Sequence, residues 1–175
     1  MRPLLFGLMF ICCCLLSACG FKLRGDADIP PAVRVLYIKS NNPYGEFEST
    51  LRSTLPPMGI RLVDNPTEAA ITLEILKTDL NYFITSISAS NQASTYQVTY
   101  SARIAAKDNK GKTILAPETI SSSETLMVNA NTVIGSNNQL DLLSKQLQQD
   151  LVFKILNLLS APRVKEALAQ THGHD

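Results

Sequence analysis

From Thr95 to Lys107 apolar and polar residues alternate along the chain. Tyr96, Val98, Tyr100, Ala102, Ile104 and Ala106 fall on one side, and Gln97, Thr99, Ser101, Arg103 and Lys107 on the other. A period of two sustained this long predicts a strand in a sheet with one buried face. Upstream, Ile71, Leu73 and Ile75 alternate with Thr72 and Glu74, in a strand that can run on to Thr85. Downstream, Asp108-Asn109-Lys110-Gly111 is a hairpin signal. The returning strand, Lys112 to Met127, loses its pattern around Pro117, where a bulge or an edge position is expected. At roughly 3.3 Å per residue these strands reach about 40 Å, which is long for a small domain.

Two other patterns flank this β-rich centre. Val33 to Lys39 (VRVLYIK) is β-branched and aromatic and reads as a first strand. Asn42-Pro43 offers an N-cap followed by proline at the first helical position, and Phe47, Leu51 and Leu55 then recur every four residues. Pro56-Pro57 stops that helix, Gly59 turns the chain, Ile60 to Val63 is a short extended piece, and residues 64–67 form a loop. Near the end, Ser136 and Gln139 have capping-box spacing. Leu140, Leu143, Leu147, Leu151, Ile155 and Leu158 follow at spacings of three and four. Pro162 interrupts this second helix, and a frayed polar segment is expected after it. The fold class expected is α+β, a two-layer sandwich with two helices on one face of a mixed four-stranded sheet. Its other face is left polar.

The N-terminus is a different object. Arg2, an apolar run from Leu4 to Leu16 and the small residues Ser17 and Ala18 make a secretory signal. The run falls short of the ~20 apolar residues a spanning helix needs. Leu16-Ser17-Ala18-Cys19 resembles the bacterial lipobox, in which the Cys19 thiol takes a diacylglycerol and the new amine is acylated after cleavage. One acyl chain holds a protein only marginally, whereas three on one cysteine anchor it firmly. Gly20 stands where an Asp would mark inner-membrane retention in Gram-negative lipoproteins, so the outer membrane is expected, with the protein on its periplasmic side. The chain divides into a removed signal (1–18), a lipidated tether (19–31), one α/β domain (32–161) and a polar tail (162–175).

Processing changes the charge and cysteine arguments. Of 16 Lys and Arg only Arg2 is removed, so the mature chain balances its 15 Asp and Glu. A nucleic-acid partner, which requires a basic stripe, is not expected. Cys12, Cys13 and Cys14 leave with the signal, so no intramolecular disulfide is available.

Candidate chemistry is sparse. His172 and His174 are the two histidines, and two ligands on a tail cannot complete a metal site, so neither metal nor other cofactor is expected. No catalytic triad can be assembled around them. Glu46, Glu48, Glu118 and Glu124 supply carboxylates that could pair for glycoside hydrolysis, but they read as exposed charges. No phosphate-binding glycine loop is present. The chain therefore reads as a non-enzyme. What remains is the polar strand face, either simply solvated or a docking surface for a polar wall or a glycan.

Cys19-Gly20-Phe21-Lys22-Leu23-Arg24-Gly25 resembles the opening of the LptE family of lipopolysaccharide-assembly lipoproteins. The order of the rest agrees: VRVLYIK, the helix through Leu55, Gly59 to Leu62, the strand beginning Tyr96-Gln97-Val98, and the final helix with Asp150-Leu151 and Ile155 to Leu159. The resemblance implies a non-catalytic plug in the lumen of the LptD β-barrel that assists its assembly and can bind lipopolysaccharide. It gives the face carrying Gln97, Thr99 and Ser101 a physical reason, since barrel interiors are polar. It also implies basic side chains meeting lipid A phosphates near the tip of the sheet. Here Ser86 to Thr95 and Asn129 to Asn138 carry no charge, and the nearest candidates are Arg103, Lys107, Lys110 and Lys112. Two other classes stay open: a free-standing periplasm-facing lipoprotein that binds peptidoglycan or another envelope protein, and a lipid-anchored hydrolase with two glutamates in one cleft.

Overall fold

The computed structural model describes residues 29–87, 93–127 and 135–172; the lipobox, Cys19, Gly20 and the tether through residue 28 lie outside them. Ile29 is buried, and a 3-10 turn, Pro31–Val33, leads into β1 (Val35–Ser40). Helix α1 (Glu46–Thr54) follows, then a 3-10 turn at Pro56–Met58 and β2 (Arg61–Leu62). After a third such turn at Pro66–Glu68 come the long strands β3 (Ile71–Ile87), β4 (Ala93–Asp108) and β5 (Thr113–Met127). Helices α2 (Gly135–Leu159) and α3 (Pro162–His172) close the order.

The α+β class holds, with three helices beside one open sheet among the described residues, but that sheet has five strands, in the order β2-β1-β3-β4-β5. The additional strand is the extended piece at Ile60 to Val63. Its register pairs Val35 with Arg61 and Leu36 with Leu62 in parallel, and Arg34 and Leu36 carbonyls accept from the Arg61 and Val63 amides. Two residues of pairing leave little pattern in a sequence, so only the crossover brings this strand to light.

The third helix is likewise more than the polar tail expected from Pro162. Proline suits the first turn of a helix because its missing N–H would be unsatisfied there anyway. The chain restarts at that point and buries Val164 and Leu168 against the core. The first helix also starts later than Asn42-Pro43 suggests. The Gly45 amide donates to the Asn42 carbonyl in a turn, and Gly45 rather than Asn42 flanks the helix. The second helix begins at Gly135, so Ser136 lies inside it; the side chains of the expected capping box fall partly outside the described residues.

One apolar core joins the layers. Phe47, Leu51 and Leu55 from α1 and Leu147, Leu151 and Ile155 from α2 pack on Leu36, Ile71, Leu73, Val98 and Ile104 of the sheet. The Phe47 ring lies 5.8 Å from that of Tyr100. Among the buried polar groups, Gln148 donates to Ser144 within α2 and accepts from Thr50 of α1, tying the helices together.

The hairpin after β4 forms as its residues predict. Asp108 donates its amide to the Lys112 carbonyl, its Oδ1 accepts from the Lys110 and Lys112 amides, and Gly111 takes the left-handed conformation (φ 81°). A register shift between Glu118 and Leu115 brackets Pro117 on the edge strand β5.

Candidate docking surface

Strand alternation places the candidate face. β4 puts Gln97, Thr99, Ser101 and Arg103 away from the helices, and β5 sets Thr125, Ser123, Ser121 and Thr119 opposite them in register. The result is a sheet face tiled with hydroxyls. The Thr99 and Ser123 hydroxyls hydrogen bond directly at 2.7 Å, and Gln97, Thr99 and Ser101 are half-buried by their neighbours alone. Short hydroxyl side chains on a flat sheet both donate and accept, so such a face can match another polar wall without burying an unpaired charge.

The sheet has two unlike ends. The described chain enters at one, the base, where β1 begins and the Asp108–Lys112 hairpin lies beside it, since Ile71 pairs with Asp108 and Leu36 with Ile71. β3 and β4 reach their far end at Ile87 and Ala93. Arg103 is exposed at mid-sheet, paired with Lys77 and Thr119, while Lys107, Lys110 and Lys112 all sit at the base. The four basic candidates therefore do not gather at the far end. Of the loops noted for having no charge, residues 88–92 and 128–134 lie outside the described residues.

At the base the open face holds a charge cluster. Lys39 of β1 and Lys107 of β4 both donate to Glu74 Oε1, at 3.0 and 3.1 Å. Burial raises the Glu74 carboxyl pKa, but the hydrogen bonds and charges of the two lysines outweigh it and hold the group below its ordinary value. A cavity of about 380 Å³ opens there, lined among others by Tyr37, Thr72, Thr67 and Asn109. Sequence reasoning missed this cluster. Thr72 and Glu74 were legible as a polar face, but only the order β1-β3-β4 brings Lys39 and Lys107 to opposite flanks of one carboxylate.

The four glutamates considered for acid–base work fall on two elements, Glu46 and Glu48 in the first turn of α1 and Glu118 and Glu124 on β5. Glu48 is buried and accepts from the Ser40 hydroxyl, Glu118 pairs with Arg163 at 2.9 Å, and Glu46 alone of the four lines a second cavity beside Tyr44 and Lys145. His172 ends α3, and His174 lies outside the described residues. No cluster of three or more His, Cys, Asp or Glu side chains suited to a metal occurs among the described residues. Nor is any described helix long and apolar enough to cross a membrane.

The described chain is thus a helix-backed sheet whose free face offers hydroxyls and amides. The chain belongs to the LptE family: the family model described as lipopolysaccharide-assembly matches residues 33–159. The LPS-assembly lipoprotein LptE of Pectobacterium atrosepticum is 27% identical over 179 residues, covering 98% of this chain and 95% of that protein. The LPS-assembly lipoprotein LptE of Yersinia enterocolitica is 30% identical over a shorter stretch of 83 residues, 47% of this chain and 40% of its own length. Among solved structures, lipoprotein B of Nitrosomonas europaea superposes with a TM-score of 0.67 at 21% identity, over 89% of this chain and 99% of that one. The rare lipoprotein B of Shewanella oneidensis gives 0.59 at 17%, over 79% and 96%. At these identities the structures speak for the fold, and the family match for lipopolysaccharide assembly.

Proposed function

We propose that the mature chain is held by acyl chains on Cys19 in the inner leaflet of the outer membrane, with Gly20 permitting that sorting. From there it plugs the lumen of the LptD β-barrel and assists its assembly during lipopolysaccharide transport. The observation that carries this reading is the hydroxyl-tiled face of β4 and β5, in a chain of the LptE family. Barrel lumens are polar and water-accessible, so a plug needs hydrogen-bonding side chains and few large apolar ones on the faces that meet the wall. Gln97, Thr99 and Ser101 would dock there. The role is non-catalytic and requires no cofactor.

Lipopolysaccharide is the second partner in this reading. Arg103, Lys107, Lys110 and Lys112 would supply the charge-assisted bonds that phosphates demand. Their position from base to mid-sheet suits contact as the glycolipid enters rather than at the far end. Replacing all four with Ala is expected to weaken lipopolysaccharide capture by the purified protein, and unchanged capture removes them from the account.

The plug itself is tested by gentle detergent extraction of the tagged, lipidated protein from outer membranes. Stoichiometric recovery of one large β-barrel is expected. Recovery of the lipoprotein alone, with other barrels intact in the same extract, would point instead to a free-standing lipoprotein facing peptidoglycan.

A further inference from the structure

The two long edges of this sheet are built differently. β5 is an edge along its whole length and is guarded. It carries Pro117 in a bulge and Glu118 and Glu124 among hydroxyl residues, and the Ser121 carbonyl is taken by Lys154 Nζ at 2.7 Å. β3 becomes an edge only in its distal half, because β1 stops at Ser40 opposite Ile75. Over residues 77–84 no described strand pairs with its outer side, and the register with β4 is regular from Lys77 to Ile84.

That open stretch lacks the usual protection. It contains no proline and no bulge, and its two charges, Lys77 and Asp79, neutralise each other at 2.7 Å. Leu80, Tyr82 and Ile84 share the helix-side face and are 43%, 62% and 54% exposed, while Phe83 on the other face is 56% exposed. Natural proteins blunt exposed edges with charges, prolines or bulges, since a bare row of N–H and C=O groups templates another strand. Here the covering residues are apolar.

We infer that residues 77–84 of β3 receive an extended segment of the barrel polypeptide by main-chain strand addition, extending the row that β1 begins. This rests on the plug reading and specifies where one part of the barrel chain lies. The size of the edge selects the occupant. Eight residues make a strip about 26 Å long and about 10 Å thick, or roughly 500 Å² counted on both partners. That is well short of the ~1,200–2,000 Å² of a stable interface. A second copy joined through this edge alone would therefore not hold, whereas a chain already engaged on the hydroxyl face needs no more. The added segment has a stated chemistry: proline-free, with apolar residues at alternate positions against Leu80, Tyr82 and Ile84, and polar ones between.

The test is amide hydrogen exchange on the lipidated protein, free and in complex with the barrel. In an antiparallel edge strand every second amide points away from its partner. Those amides within 77–84 are expected to exchange fast in the free chain and at least about tenfold slower in the complex. The double variant Tyr82→Lys/Ile84→Lys should lower barrel recovery while keeping the thermal midpoint of the free chain. If the barrel is recovered but the outward amides stay as fast as in the free chain, the plug reading stands and strand addition is overturned. If no barrel is recovered, both fall together. Concentration-dependent protection in the free chain would assign the edge to a second copy and also overturn the inference.

Discussion

β3 passes through two environments within one unbroken strand. At Leu73 it has β1 on one side, β4 on the other and a helix layer above, and it is fully buried. Past the register shift between Ile75 and Lys77 β4 is its one partner among the described strands, and Leu80, Tyr82 and Ile84 stand largely in solvent. The shift at Leu76 moves the inward-facing set from Ile71, Leu73 and Ile75 to Leu80, Tyr82 and Ile84, and beyond it the cover is lost. The base half carries the buried core, and the distal half is an extension of the same sheet that adds exposed surface and little buried area.

Mutations can break that contrast, the largest effect coming from the base. Phe47→Ala removes a fully buried ring between α1 and the sheet and is expected to cost about 4 kcal/mol in denaturant unfolding. Leu168→Ala tests whether the C-terminal helix belongs to the base. Because Leu168 is buried, a loss of about 2 kcal/mol is expected, whereas a solvated tail would give none.

The charge cluster on the open face comes next. Glu74→Gln should cost about 1 kcal/mol at neutral pH, because it discharges the acceptor between Lys39 and Lys107. The folded carboxyl lies below its ordinary value of 4.5, so its contribution is fully present above that value. It is lost as pH falls through the lower folded-state value, so the variant should flatten the acid limb of stability against pH. An unchanged acid limb would mean the lysines do not hold the carboxylate in solution.

The smallest effect belongs to the far half. Tyr82→Ser in the free chain should move stability by no more than about 0.5 kcal/mol, since the side chain is mostly exposed. A loss comparable to that of Phe47→Ala would show that the distal sheet is part of the core after all.

Much of this was legible in the chain. The alternation from Thr95 to Lys107 located β4 and its two faces, Asp108 to Gly111 located the hairpin, and Pro117 located the disturbance in the edge strand. The four-residue spacing of Phe47, Leu51 and Leu55 gave the helix face that is buried. Local geometry suffices for these features because period and turn chemistry act over a few residues. Pro162 misled because proline ends one helix and suits the start of the next, and only the burial of Val164 and Leu168 decides between them. The candidate site was legible as a polar face, but not as a face with ends, since Lys107, Lys110 and Lys112 acquire a position only once the strands are paired.

The sequence by itself determined the longer strands, the two larger helices, the polar side of the sheet and the lipobox resemblance at Cys19, because each depends on neighbours a few bonds away. Tertiary structure decided where β1 stops along β3, which carboxylate Lys39 and Lys107 share, where the shift at Leu76 re-aims the alternation, and which inward-facing apolar residues are left uncovered. An alternating pattern states which residues can be buried together. Whether they are depends on how far the neighbouring strand and the helix layer extend, and those lengths are set elsewhere in the chain.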